Sequence, residues 1–133
     1  MPSTNEHLDL ARKLWQFVED YPLAKLVEAQ IEIAVASAYW SSLHHIDAVL
    51  ALRVINKHPG ADSERCREMT RLGGSMHGIV RYHRLLKDRY DEAMYRAQPI
   101  TQIDFEAEIV EAHTEVRAKT ERMLGRWAEQ ELS

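Results

Sequence analysis

The apolar residues of this chain recur at spacings of three and four, which is the period of an α-helix. The first such stretch opens at Ser3 to Glu6, which have the spacing of an N-terminal capping box, and it ends before Pro22. An apolar run from Leu23 to Ile55 follows and contains neither glycine nor proline. This pattern predicts an amphipathic first helix and then one long helix that is largely buried.

The second half of the chain repeats the helical pattern between breakers. Residues 56–60 form a turn signal that contains Pro59 and Gly60, and a short helix is predicted from Asp62 or Ser63 to Leu72, before two glycines. A third long helix is predicted from Ser75 to the region of Pro99. A last helix should follow, capped by Thr101 to Asp104, with an apolar stripe at Phe105, Ile109, His113, Val116, Met123 and Trp127. Together these elements predict an all-α fold, an antiparallel up-and-down four-helix bundle with one short extra helix, in a single domain over residues 1–133.

The long helix carries unusual residues in its middle. Tyr39 and Trp40 put two large aromatic side chains next to each other, and His44 and Asp47 bring polar groups to a wall that should be dry. A buried polar group without a partner costs about 1–3 kcal/mol. This face is therefore expected to meet a second helix, a second subunit or a ligand.

Composition and targeting signals narrow the class of protein. The 133 residues are 45% apolar and 29% charged, as in an ordinary globular domain. A lone Cys66 rules out an intramolecular disulfide, and the first residues lack the basic and then apolar order of a signal peptide. No apolar stretch approaches the 18 residues of a membrane span. We therefore expect a cytoplasmic protein without a membrane partner.

The net charge of −4 hides a basic middle region. Residues 63–96 carry more basic than acidic side chains, and both flanking regions are acidic. One interpretation is a solvated helix face that pairs with the acidic C-terminal helix. The other is a phosphate-rich partner, since arginine grips phosphate with two parallel hydrogen bonds. The arginines in question are Arg65, Arg67, Arg71, Arg81 and Arg84.

Known metal and cofactor motifs do not fit the chain. A di-metal helical bundle needs Glu-x-x-His on two helices. In this chain the residue three positions before each tested histidine is serine or valine, and neither can replace the glutamate ligand. The histidines tested are His44, His45, His83 and His113. One cysteine cannot build a structural zinc site, and no glycine-rich phosphate loop is present. The spacing thus predicts no metal site and no cofactor, and it favours His83 and His113 as core residues with hydrogen-bond partners.

Three segments resemble the small bacterial HEPN domains, which are helical bundles found beside minimal nucleotidyltransferases and in defence systems. The residues concerned are Ala38-Tyr39-Trp40 with Leu43-His44 and Ala48-Val49-Leu50, then Leu86, Arg89 and Ala93-Met94-Tyr95, and finally Phe105-Glu106-Ala107 with Ala112 and Val116. The resemblance covers about residues 30 to 125 in the right order. It implies a HEPN-like homodimer, with a nucleotidyltransferase-type or other protein partner and a role in a toxin–antitoxin or defence locus.

Three functions remain open on this resemblance. The favoured one is non-catalytic binding of RNA, a nucleotide or a protein partner, with Tyr39, Trp40, His44, Arg81, Arg84 and Arg89 as the binding residues. The second is a metal-independent RNase, because catalytic HEPN proteins carry an Arg-x(4 to 6)-His pair. Arg71 with His77 has that spacing and is the candidate pair, as does Arg53 with His58. The third is a homodimeric protein-interaction module without ligand chemistry.

Overall fold

A computed structural model describes residues 3–20, 28–53, 62–72, 76–95, 101 and 104–132. Within these ranges only the backbone is described at positions 17, 18, 20, 28–30, 53, 62, 72, 76, 77 and 126–132. The elements are helices α1 (Thr4–Asp20), α2 (Glu28–Arg53), α3 (Asp62–Leu72), α4 (Met76–Met94) and α5 (Glu111–Leu132), with a π-helical segment, Phe105–Val110, that leads directly into α5. These ranges contain no strand, so the prediction of an all-helical chain is confirmed for them.

The predicted capping box opens α1. The backbone N–H of Glu6 donates to Ser3 Oγ at 3.2 Å, and the N–H of Ser3 donates to Glu6 Oε1 at 3.5 Å. These two bonds satisfy donors that the first turn of a helix leaves without intrahelical partners. The short helix α3 also has the predicted bounds. Capping residues and helix-breaking glycines in the sequence therefore predict these helix ends correctly.

The start of the last helix differs in part from the prediction. Thr101 caps it as expected, since Thr101 Oγ1 accepts a hydrogen bond from the backbone N–H of Asp104 at 3.1 Å. The predicted last helix is present from Phe105 onward, but its first part, Phe105–Val110, has the wider π-helical form. Phe105 and Ile109 are both buried within this segment. The spacing of apolar residues gives no signal that separates a π-turn from an α-turn.

Helix α2 is the centre of the fold. It packs against every other element of the described chain, and its buried residues run round most of its circumference, as its apolar run predicts. Its first half joins an aromatic-rich cluster with Trp15 and Phe105. Its second half joins an aliphatic cluster with Met69 and Val116. The core thus has two parts that share α2.

Contacts along α2 give the direction of its neighbours. Thr4, at the start of α1, donates to the carbonyl of Ala48 near the end of α2, and Ala11 meets Ser41 half-way along. The two helices therefore run antiparallel. The up-and-down order of four helices stays a prediction. Several expectations fall outside the described residues: the turn at 56–60, the glycines at 73 and 74, Ser75, Pro99, and the side chains of Val18 and Trp127.

Among the described residues, no helix combines the length and the hydrophobicity that crossing a membrane requires.

Candidate functional site

An open groove of about 520 Å³ follows one face of α4. Among the described residues, those that line it all belong to that helix and recur at spacings of three and four, so one helix face presents them together. They are Arg81, Arg84, Leu85, Asp88, Arg89 and Glu92. Three of these six residues are arginines that were predicted from the sequence to be binding residues. The structure therefore brings Arg81, Arg84 and Arg89 together in what we call the α4 groove.

The N-terminal end of the α4 groove carries two cationic side chains, Arg81 and Arg84. Arg81 and Arg84 are exposed and form no ion pair with any residue that the structure describes. The guanidinium of Arg81 lies 4.9 Å from the ring centre of Tyr82, which holds it against the helix by a cation–π contact. Two guanidinium groups one turn apart can approach one phosphate from two sides.

The other end of the α4 groove is neutralised from within the protein. Arg89 Nε donates to Glu108 at 2.9 Å, and its Nη1 donates to Glu92 at 2.9 and 3.1 Å. The hydrogen bonds to Glu108 and then to Glu92 raise the pKa of the Arg89 guanidinium. Arg89 is thus held in an ion-pair network. Through Glu108, Arg89 pairs with the acidic C-terminal region.

The other proposed binding residues lie apart from the α4 groove. Tyr39 is buried, at 4% exposure, and stacks on Tyr90 at 4.7 Å between ring centres. Trp40 is 41% exposed, so the two neighbouring aromatic side chains differ in burial. On a helix that is apolar nearly all round, spacing cannot say which of two neighbours faces outward. His44 is half-buried and contacts His7 on α1.

The candidate catalytic pair is split between two helices. Arg71 is exposed in the last turn of α3, where it donates to Glu68 at 3.3 Å. His77 lies in the first turn of α4, and its side chain is outside the described residues. Of the alternative pair, the side chain of Arg53 and the whole of His58 also lie outside the described residues. The structure therefore neither joins nor separates the reactive groups of an RNase.

Arg65 does not belong to a solvated basic face, which corrects the expectation from sequence. It is buried, and its guanidinium grips Asp47 on α2 with Nε at 2.6 Å from Oδ1 and Nη2 at 3.1 Å from Oδ2. Asp47 was flagged as a polar group that needs a partner, and this bidentate pair supplies it. Arg65 is therefore a structural residue that ties α3 to α2.

Two adjacent serines on α2 bind the two core histidines. Ser41 Oγ lies 2.8 Å from His113 Nε2, and Ser42 Oγ lies 2.8 Å from His83 Nδ1. All four residues are buried, so the prediction of hydrogen-bonded core histidines is confirmed. Ser41 donates its single proton to the carbonyl of Ala11 at 2.8 Å. His113 must then donate from Nε2, which fixes it as the Nε2–H tautomer.

Burial keeps two histidines neutral. Loss of hydration, followed by the charges of His45 and Arg117, lowers the pKa of His113 from 6.5 to about 3. Loss of hydration, followed by the charge of Arg117, lowers the pKa of His45 to about 4. Nδ1 of each ring is buried and has no hydrogen-bond partner among the described residues. A proton arriving there would create a buried charge without compensation.

We expect the chain to lose stability in mild acid because of these histidines. In the unfolded state His113 takes up a proton as the pH falls through about 6.5, while the folded state resists until about 3. Between these values each neutral histidine costs about 1.4 kcal/mol of stability per pH unit. Urea unfolding measured from pH 7 to pH 4 should show this slope. His113→Gln keeps an Nε2–H donor for Ser41 and should give a visibly shallower slope, whereas an unchanged slope would contradict the assignment.

The sequence analysis singled out His44 and Asp47, but not the third member of a cluster that they form with His7. His7 on α1 and His44 on α2 place their Nδ1 atoms 3.0 Å apart, and Asp47 lies one turn further along α2. One ligand atom of each of the three residues lies within 4.8 Å of those of the other two. His7 and Asp47 are buried. Residue spacing within one helix gives no information about a contact between His7 and a residue 37 positions away on another helix.

Comparisons with models of protein families, with curated proteins and with solved structures gave no match to this chain.

Proposed function

We propose that this chain is a cytoplasmic, HEPN-like, four-helix binding module without catalytic activity, and that it holds phosphate groups of RNA or of a nucleotide in the α4 groove. The observation that supports this most is the pair of exposed guanidinium groups, Arg81 and Arg84, without ion-pair partners among the described residues. The toxin–antitoxin or defence setting rests on the HEPN resemblance alone.

The charges around the α4 groove favour one end of it for phosphate. Arg89 is already engaged with Glu92 and Glu108, so a phosphate there would compete with two carboxylates. Arg81 and Arg84 have no such competing carboxylate in an ion pair among the described residues, and Leu85, one turn from Arg81, offers an apolar surface for a base or sugar. Asp88 is exposed one turn beyond Arg84 and opposes an anion at that distance. Phosphate is therefore expected at Arg81 and Arg84.

We expect charge reversal at this end to weaken binding strongly. The double variant Arg81→Glu/Arg84→Glu should lower affinity for a labelled single-stranded RNA by at least about tenfold at low salt, because each lost phosphate contact also stops the release of counterions. The slope of log affinity against log salt, which is negative, should become shallower by about 2. Asp88→Asn should act in the opposite direction and tighten binding. Fluorescence anisotropy over a salt series measures all three quantities, and ATP replaces RNA in a parallel series.

The matched control is Arg12→Glu. Arg12 is an exposed arginine on α1, and Arg12→Glu makes outside the α4 groove the same change in charge as each of the single variants Arg81→Glu and Arg84→Glu, with which it is compared. Equal losses in the control and in the α4 variants would reduce the effect to net charge and contradict the proposal. Intact RNA at the end of each titration is also expected. RNA that is cut by the wild type, and not by Arg71→Ala or by His77→Ala, would favour the RNase instead.

A homodimer is a second proposal, supported by an exposed apolar strip. Ile33 and Trp40 lie two turns apart on α2, at 50% and 41% exposure. Trp40 contacts Tyr90 edge-on, and Tyr90 contacts Tyr95, which is 74% exposed. Large aromatic side chains are typical of interface cores, and two-fold symmetry is the commonest closed assembly. Light scattering should report a dimer at micromolar concentration, and a monomer throughout would refute this proposal.

A further inference from the structure

The cluster of His7, His44 and Asp47 has the donor set of a transition-metal site. Two imidazole nitrogens and one carboxylate oxygen are ligands that Zn²⁺ and its neighbours accept, and hard cations such as Mg²⁺ prefer oxygen alone. The three ligand atoms lie within 4.8 Å of one another. His44 is half-buried, so the cluster is open to solvent on one side. We propose that these three residues bind a divalent transition metal of the Zn²⁺ class, with solvent water completing its coordination.

The distance between the two imidazoles is close to that in a metal site. Their Nδ1 atoms are 3.0 Å apart. Two nitrogens bound at about 2.0–2.1 Å in tetrahedral geometry lie roughly 3.3–3.4 Å apart. Only a few tenths of an ångström separate the two arrangements. A metal takes the place of the proton between the rings, and that proton moves to Nε2 of the imidazole that carried it, so that both ligands are neutral Nε2–H tautomers.

The carboxylate is available although Arg65 binds it. Asp47 accepts one hydrogen bond from Arg65 on each oxygen, and a carboxylate offers about four lone-pair positions in all. A ligating carboxylate is commonly held by an outer hydrogen-bond partner that fixes its orientation. Arg65 serves as that positioning residue. It also offsets the carboxylate charge, so the site binds the metal mainly through neutral imidazoles.

The position of the ligands gives the metal a structural role. His7 comes from the second turn of α1, whereas His44 and Asp47 come from α2. A bound ion therefore links α1 to α2 near the capped N-terminus of α1. Binding only to the folded state raises the midpoint of thermal unfolding, Tm, in proportion to the logarithm of the metal concentration. This site is independent of the α4 groove, so failure of one proposal leaves the other unaffected.

The test uses the full chain without a histidine tag, stripped with a chelator and titrated with Zn²⁺, Co²⁺ or Mg²⁺. One equivalent of Zn²⁺ or Co²⁺ should bind and raise Tm, and Mg²⁺ should do neither. His7→Gln and His44→Gln should each weaken binding by more than the 10- to 100-fold that loss of an outer partner causes. His113→Gln is the matched control, because it removes a buried histidine outside the cluster, and it should keep wild-type affinity.

Two results would overturn the proposal. One is a wild-type Tm that does not respond to Zn²⁺ or Co²⁺, and the other is affinity retained in both Gln variants. If a variant does not fold, the imidazole nitrogen resonances of the wild type decide the matter. Zn²⁺ must shift those of His7 and His44 and leave those of His83 and His113 in place, whereas any other pattern places the metal elsewhere.

Discussion

Replacing Arg65 with Met should lower the free energy of unfolding by about 3–5 kcal/mol. The change leaves Asp47 as a buried carboxylate without its bidentate partner, and breaking a buried ion pair from one side has a cost of this size. The side chains of Arg65 and Asp47 are 6% and 1% exposed, so water cannot replace the lost bonds. Urea unfolding at pH 7 in a chelating buffer measures the difference free of any metal contribution.

The double variant Arg65→Met/Asp47→Leu separates charge from packing. Removing both charges should restore most of the loss, since a buried ion pair is seldom more stabilising than apolar residues of similar volume. Arg12→Met is the control, because its ion pair with Asp9 is exposed on both sides and should matter by less than about 1 kcal/mol. A double variant as unstable as the single one would show that packing, and not the unpaired charge, determines the cost.

Tyr39→Ala should cost about 3–5 kcal/mol, whereas Trp40→Ala should cost about 1–2 kcal/mol, although Trp is the larger residue. The Tyr39 ring is buried and stacks on Tyr90 and His83, with ring centres at 4.7 and 5.4 Å. Trp40 meets Tyr39 and Tyr90 only edge-on and is partly in water. The difference between two neighbours in the chain therefore reports which face of α2 points inward.

Tyr39→Phe serves as the control for the ring itself. It keeps the stacking and removes only the hydroxyl, so a loss of about 1 kcal/mol is expected. Unfolding should be measured at several protein concentrations. If Trp40→Ala proves as costly as Tyr39→Ala only at high concentration, its ring is buried in an assembly, in line with the homodimer proposal. Equal cost at every concentration would contradict the exposed position of Trp40.

Helix positions were predictable from this sequence because its breakers are sparse and well placed. Ser3 and Glu6 announce the start of α1, and Thr101 announces the last helix, in each case through side chains that satisfy nearby backbone donors. Core residues of α4 and α5 follow from helical spacing, and they include His83 and His113. These are local properties of the chain, which sequence spacing records directly.

The partners of the polar residues were not predictable in the same way. The need of Asp47 for a partner follows from its apolar surroundings, but the choice of Arg65 depends on how α3 lies against α2. Arg65 looks no different in sequence from Arg67, which is exposed. His7 follows a capping box and has no histidine, cysteine or carboxylate three or four positions away in the chain, so its contact with His44 appears only when α1 folds back along α2.

Helix α2 has one further property that follows from its uniform surface. Because apolar side chains surround most of it, turning the helix about its own axis would bury nearly the same hydrophobic area, so hydrophobic burial alone selects no orientation. Ser41, Ser42 and Asp47 select it, since each hydrogen-bonds to a side chain on a different helix: His113 on α5, His83 on α4 and Arg65 on α3. A rotation of one residue, about 100°, would break all three contacts at once. The buried polar groups of α2 thus determine its rotation about its own axis, and through the same hydrogen bonds they fix the positions of three other helices against it.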